Sequence, residues 1–335
     1  MVSFLLSLKD TMCCRRFVRS LALIGATWFL LGGGGLALAQ EGDARLRKRI
    51  AELEAENLAL RKIVVSVQNA IKAVPPATLP LSTAPSALRI VVMPGDWDGS
   101  QLADITKVCE SAAAMIASRL PDDGFAPILV ERGTSGPITL YKRGEGNEHR
   151  VRLDTGGQRW AQCAYQFSHE FCHIVCNYRN VKNPQMWFEE TLCETASLYS
   201  LRQMAVTWET KPPYSNWKSY SSALASYAQD RIKAHPPKAV SVGQFYRMNQ
   251  AELEKNAVNR PLNTYIAVQL LPIFEATPDG WQSLRYLNLG PAEENLSFPA
   301  YLAGWYDRAP AKHQPFIREI AAQFYVGLPL AKKEN

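Results

Sequence analysis

One short stretch of the sequence carries residue types at a spacing that can do hydrolytic chemistry: Ser168-His169-Glu170-Phe171-Cys172-His173. The residues around it read as a helix whose apolar face holds Trp160, Cys163, Phe167, Phe171 and Ile174. Residues four apart share one face of a helix, so His169 and His173 point the same way and can hold one cation through ring nitrogens. Glu170 lies about 100° round the helix from His169, near enough to reach a water on that cation without ligating it. Two of the chain's five histidines fall in this single spacing.

Two histidines need a third protein ligand, and the next segment offers carboxylates. Asn183-Pro184 reads as a helix start, with Asn as cap and Pro at the first helical position. Trp187-Phe188-Glu189-Glu190-Thr191-Leu192-Cys193-Glu194 follows. A carboxylate from Glu189, Glu190 or Glu194 would complete a set of two histidines and one acid, with a fourth position left for water. Cys172 and Cys176 share a face adjoining the histidines, and Cys193 lies nearly one turn past Glu190. That spacing suits either a disulfide between the helices or buried free thiols. Thiolate ligation is not expected, because a carboxylate already fills the set.

These two motifs resemble those of the gluzincin metallopeptidases, the class of thermolysin-like enzymes and large zinc aminopeptidases. Their second motif reads Trp-apolar-x-Glu followed by a small residue. Trp187-Phe188-Glu189-Glu190 is similar to it, which selects Glu190 over Glu189 as the third ligand of a Zn²⁺ ion. The resemblance further implies Glu170 as catalytic base and Glu194, four residues past the ligand, as a carboxylate that orients a histidine. Tyr265, in Asn263-Thr264-Tyr265-Ile266-Ala267, is similar to the later helix residue that stabilises the oxyanion. It implies also that an extended peptide aligns along an edge strand near Arg150 to Asp154. The sequence departs from the family in three ways: a shorter interval from His173 to Glu190, Thr191 where aminopeptidases have Gly, and no Gly-x-Met-Glu-Asn motif. No subfamily is therefore implied.

The elements that must position these residues follow from periodicity. Leu88 to Met93, Pro127 to Glu131, Pro137 to Lys142 and Arg150 to Asp154 are strand-like, the last two flanking the turn Arg143-Gly144-Glu145-Gly146-Asn147 as a hairpin. An amphipathic helix spans about Gln101 to Arg119. Helical patterns dominate from Gly157, broken at Lys211-Pro212-Pro213, His235-Pro236-Pro237 and Pro278-Asp279-Gly280. Strands first and helices after predict an α+β domain over 88–332, which the resemblance to gluzincins implies is zincin-like. It would pair a small, mostly antiparallel sheet and the active-site helix (88–180) with a largely helical lobe (181–332).

The N-terminal quarter reads separately. Residues 1–39 place Arg15, Arg16 and Arg19 before an apolar run from Leu21 to Ala39 that ends Ala37-Leu38-Ala39, the order of a secretory signal or of an uncleaved membrane tether through 21–39. Either form predicts export to the periplasm or outside the cell. Within 43–72, Leu46, Ile50, Leu53, Asn57, Leu60, Val64, Val67 and Ile71 alternate four and three apart, a heptad seam with β-branched residues and one Asn at a and Leu at d. That pattern predicts a parallel homodimer through residues 46–71, with Arg49 facing Glu54, and Glu56 facing Arg61, of the partner chain. Residues 73–87, with Pro75, Pro76, Pro80 and Pro85, form a stiff linker.

Hydrophobic residues make up 47% of the chain and charged ones 20%, which suits a sizeable core and argues against disorder. The net charge of +6 falls to +3 once the basic leader is set aside, and no basic stripe with interleaved aromatics is present, so no nucleic-acid partner is expected. The expected function is an exported zinc metallopeptidase acting on a peptide or protein substrate. The alternatives are a non-catalytic, coiled-coil-dimerised envelope protein with a structural or vestigial zinc site, and zinc hydrolysis of a non-protein amide.

Overall fold

The computed structural model describes residues 88–330 apart from 122, 123, 237–239 and 292, together with residues 45, 47–53, 55, 56 and 59. The leader, most of the heptad seam and the Pro-rich linker lie outside the described residues. The chain divides into two units, Met1–Thr83 and Ala84–Asn335. In the first, the described residues are helical, Ile50 and Leu53 are about half exposed, and Arg49 pairs with Glu52 of its own helix at 3.0 Å. Among the described residues no helix is long and apolar enough to cross a membrane.

The second unit begins with β1 (Ile90–Val92), α1 (Leu102–Ala117) and β2 (Ile128–Arg132). α1 buries Ile105, Val108, Cys109, Ala112, Ala113 and Ile116, a single stripe, against β1 and the helices behind it. A strand, a helix and a second strand side by side make a crossover, and such a connection sets its strands parallel. β1 and β2 accordingly pair in parallel, Ile90 opposite Ile128. β3 (Ile138–Leu140) and β4 (His149–Leu153) form the expected antiparallel hairpin, Thr139 opposite Val151. β4 then pairs in parallel with β2, giving the order β1-β2-β4-β3.

Two expectations need correction. The sheet is not mostly antiparallel: two of its three pairings are parallel, β1 with β2 across the helical crossover and β2 with β4, which β3 separates in sequence. Nor is Arg150 to Asp154 an edge, since β4 lies between β2 and β3; the edge on this side is β3. Alternation along β4 buries His149, Val151 and Leu153 and turns Arg150 and Arg152 outward, where both pair with Glu131 of β2 at 2.5 and 3.1 Å.

A helical lobe follows, built on α2 (Trp160–Val175) and α3 (Met186–Trp208). α3 is buried around most of its circumference, as a central helix must be. It packs on α1, α2, α4 (Ser221–Lys233), α5 (Val242–Lys255) and α6 (Arg260–Ala276). Its inward Thr191, Thr195 and Ser197 satisfy their hydroxyls on carbonyls one turn back. α3, α4 and α6 each stop just ahead of the three proline-bearing breaks. α7 (Phe298–Arg308) and α8 (Gln314–Gln323) close the lobe.

Candidate metal centre

Local sequence explains how α2 and α3 are held. Asn177, at φ 55°, takes the left-handed position that ends α2; its N–H donates to Ile174 O and that of Tyr178 to His173 O, the paired bonds of a Schellman cap. The cap folds Tyr178 back over the helix end, with its ring 6.2 Å from that of His173 and its hydroxyl donating to Leu140 O of β3. α3 starts at Met186, two residues later than Asn183-Pro184 suggests. Asn183 instead accepts the Gln185 N–H in a turn ahead of the helix. Trp187 and Phe188 are fully buried, Trp187 against Tyr246 and both against Phe298 and Phe324. These rings set the rotation of the first turn of α3, and with it the directions of Glu189 and Glu190.

The structure brings His169, His173 and Glu190 together. The Glu190 carboxylate lies 3.2 Å from His169 Nε2 through one oxygen and 3.6 Å from His173 Nε2 through the other. Ligand atoms about 2.0–2.1 Å from a tetrahedral zinc ion stand about 3.3 Å from one another, and each separation, one to each Glu190 oxygen, is close to that spacing. Burial works against the Glu190 charge, but its hydrogen bond to His169 and the two nearby histidines outweigh it and hold the carboxyl at about 2. Glu190 is thus a ready anionic ligand.

A carboxylate also sits behind His173. His173 Nδ1 lies 2.6 Å from Glu189 Oε1, and because a carboxylate only accepts, the ring proton belongs on Nδ1, leaving Nε2 for a cation. Glu189 is fully buried and takes a second hydrogen bond of 2.6 Å from Asn288 Nδ2, while Tyr301 donates to Asn288 Oδ1 at 2.8 Å. Glu194 relates differently to His169: its Oε1 is 3.8 Å from His169 Nδ1, which has no hydrogen-bond partner. Glu194 instead accepts from Tyr165 OH and pairs with Arg260 of α6 at 3.3 Å. Burial opposes protonation of both histidines, yet hydrogen bonds to carboxylates and four nearby acids raise His169 and lift His173 well above the ordinary value. A pocket holding Glu170, Glu189, Glu190 and Glu194 around two imidazoles calls for positive charge, supplied by protons or by a metal.

Glu170 is buried on α2, and Thr139 of β3 lies 2.8 Å from its Oε2 and 3.0 Å from its backbone O. The edge strand is therefore pinned over α2 at both ends of the motif, by Thr139 at Glu170 and by Tyr178 at Leu140. Tyr141, just past β3, stacks on Tyr178 at 5.5 Å; burial and then the Glu189 and Glu190 charges raise its phenol above the ordinary value, with His173 opposing. Tyr265 lies in the core on α6, its ring 4.0 Å from that of Phe245.

Cys193 offers a different third ligand: its sulfur and one nitrogen from each of His169 and His173 lie within 4.8 Å of one another. Burial first of all keeps its thiol protonated, far above the usual range. Glu190 lies 3.2 and 3.6 Å from the two rings and is already charged, which favours the carboxylate. Cys109, Cys163, Cys172, Cys176 and Cys193 are all buried and unbridged, with Cys172 and Cys176 sulfurs 3.9 Å apart.

Sequence reasoning missed Thr139, Asn288 and Tyr301, and read Glu189 only as an alternative ligand. Nothing local marks these residues, because Asn288 reaches Glu189 from 99 positions away. No family model matches the chain, and no curated protein or solved structure matches it either.

Proposed function

We propose that this chain is an exported zinc metallopeptidase in which His169, His173 and Glu190 hold the metal and Glu170 is the general base. The observation that carries the reading is the pair of 3.2 and 3.6 Å separations between one carboxylate and the two imidazole Nε2 atoms, beside a buried glutamate that is not needed as a ligand. Bound zinc would supply a water of lowered pKa and polarise the scissile carbonyl. Glu189 orients His173 through Nδ1. Thr139 holds Glu170 Oε2, so Oε1 takes the proton of the attacking water and passes it to the leaving amine. An extended peptide lies along β3, the edge strand above the motif. By resemblance, Tyr265 assists the oxyanion; Tyr265→Phe then lowers kcat with little change in KM. The half-exposed Ile50 and Leu53 support a parallel dimer through residues 46–71.

The test joins metal analysis to hydrolysis. Purified protein should carry about one zinc per chain and cleave peptides, and Glu170→Gln should keep the zinc while losing at least 100-fold in kcat. Full hydrolysis by Glu170→Gln would sink the mechanism.

The nearness of Cys193 to both histidines favours a second reading, a closed structural site in a non-catalytic protein. The two readings part on one variant. Cys193→Ala should leave zinc content unchanged if Glu190 is the ligand, and should abolish it if the sulfur is.

A further inference from the structure

A second cluster lies beside the candidate metal centre and shares Asn288 and Tyr301 with its outer support. A cavity of about 160 Å³ is lined by Arg179, Asn183, Asn288, Tyr301 and Arg308, among others. That volume matches a cavity able to hold a benzene-sized molecule, about 150 Å³. Arg179 follows the cap of α2 and donates from Nη2 to Gly290 O at 2.5 Å, while its Nε is buried with no partner. Arg308, at the end of α7, donates from Nε to Tyr286 O at 3.1 Å and from Nη2 to Leu287 O at 2.8 Å. A Cβ on Gly290 or Gly304 would fall 2.3 or 2.8 Å from Arg308 Nη1, so both glycines leave room for the guanidinium.

Neither arginine forms an ion pair among the described residues. Of the acids nearby, Glu293 lines the cavity but is exposed, as is Asp307 beside Arg308 in the chain. Two guanidiniums that cannot discharge therefore share one small space, and each disfavours the other's charge. The buried, unpartnered Arg179 Nε leaves the hydrogen-bonding capacity of that guanidinium incompletely used within the protein. The planar fork of arginine fits the oxygens of carboxylate and phosphate.

We propose that Arg179 and Arg308 form a binding site for a small oxyanion, a carboxylate or phosphate group seated in the cavity they share. The site does not rest on the peptidase reading. It adjoins Asn288 and Tyr301, the residues that hold Glu189 against His173.

The experiment uses the full chain at constant pH and ionic strength, titrated with inorganic phosphate or sodium acetate against a sodium chloride reference, with binding followed by calorimetry and thermal shift. Saturable heat and a rise in Tm with phosphate or acetate, absent with chloride, are expected. The tighter of the two identifies a phosphoryl or a carboxylate ligand. Arg179→Gln should weaken binding at least tenfold, the loss of one charge-assisted contact of at least about 1.4 kcal/mol. Gly304→Ala should weaken it too, by crowding Nη1. An equal response to chloride would overturn the proposal. So would an Arg179→Gln protein that folds and binds as tightly as wild type, the outcome expected if the anion sat at the histidines instead.

Discussion

The arrangement of the two neighbouring acids, Glu189 and Glu190, makes a sharp prediction about Glu189→Gln. The substitution keeps the side-chain shape and removes the charge. Glu189 now accepts from both sides, from His173 Nδ1 and from Asn288 Nδ2, each at 2.6 Å. An amide cannot do both. If its oxygen faces His173, its NH₂ meets the Asn288 NH₂, and Asn288 must turn over, giving up its acceptance from Tyr301. If its NH₂ faces His173, the ring must carry its proton on Nε2, where it blocks the cation. Loss of an outer carboxylate of this kind typically lowers metal affinity 10–100-fold, about 1.4–2.7 kcal/mol. Competition with a chromophoric zinc chelator measures this directly, with circular dichroism as the check on folding. Glu194→Gln should cost less, because Glu194 stands 3.8 Å from His169 and its closest partners are Tyr165 and Arg260. A zinc affinity for Glu189→Gln within twofold of wild type, or a larger loss in Glu194→Gln, would refute this assignment.

Two further predictions concern stability. Asn177→Ala should cost about 2 kcal/mol, combining the left-handed φ of 55° with the lost Asn177 Nδ2 hydrogen bond to Arg285 O, whereas Asn177→Gly, which loses only the bond, should cost about 1 kcal/mol; equal shifts in the urea midpoint would remove the backbone argument. Burial, and next the charge of Arg143, lower His149 to about 4. Between its ordinary 6.5 and about 4 the unfolded chain binds a proton there that the folded protein does not, so stability is complete above 6.5 and falls as the pH drops toward 4. The loss is at most about 2 kcal/mol after solvent screening. Glu190, held at about 2, loses its contribution only below 4.5, and the raised His169 and His173 act in the opposite direction, as the pH rises. The difference between wild type and His149→Gln in urea titrations from pH 7 to 4.5 isolates the effect, and parallel curves would show that His149 titrates normally.

Local pattern carried the element list well. All four strands, the helix from Leu102 and the three proline breaks fall where periodicity and turn residues put them. Strand direction was missed because three-residue and five-residue strands carry no mark of what pairs with them, and because the hairpin between β3 and β4 suggests antiparallel neighbours throughout. The amphipathic helix separating the first two strands argues against that extrapolation. A helix of sixteen residues between two adjacent strands leaves room only for a crossover. The start of α3 was misplaced for a related reason. Asn183 does cap a backbone N–H, but in a turn, and the same side-chain chemistry serves either setting.

The site divides along the same line, between what one helix determines and what two helices determine together. His169, Glu170 and His173 lie on one helix, so their relative directions follow from a rise of 1.5 Å and a turn of 100° per residue. Glu189 and Glu190 differ from each other by that same 100°, and which of them faces the imidazole Nε2 atoms depends on how α3 is rotated against α2. That rotation is set by Trp187 and Phe188, buried among Tyr246, Phe298 and Phe324, rings drawn from α5, α7 and the residue after α8. Both acids reach histidine in the result, Glu190 at the two Nε2 edges and Glu189 at the Nδ1 edge of His173. An adjacent pair of carboxylates on a helix facing a histidine helix can therefore serve as a ligand and the support for a ligand at once. The second glutamate gives His173 a fixed tautomer, which a lone third ligand would leave to water.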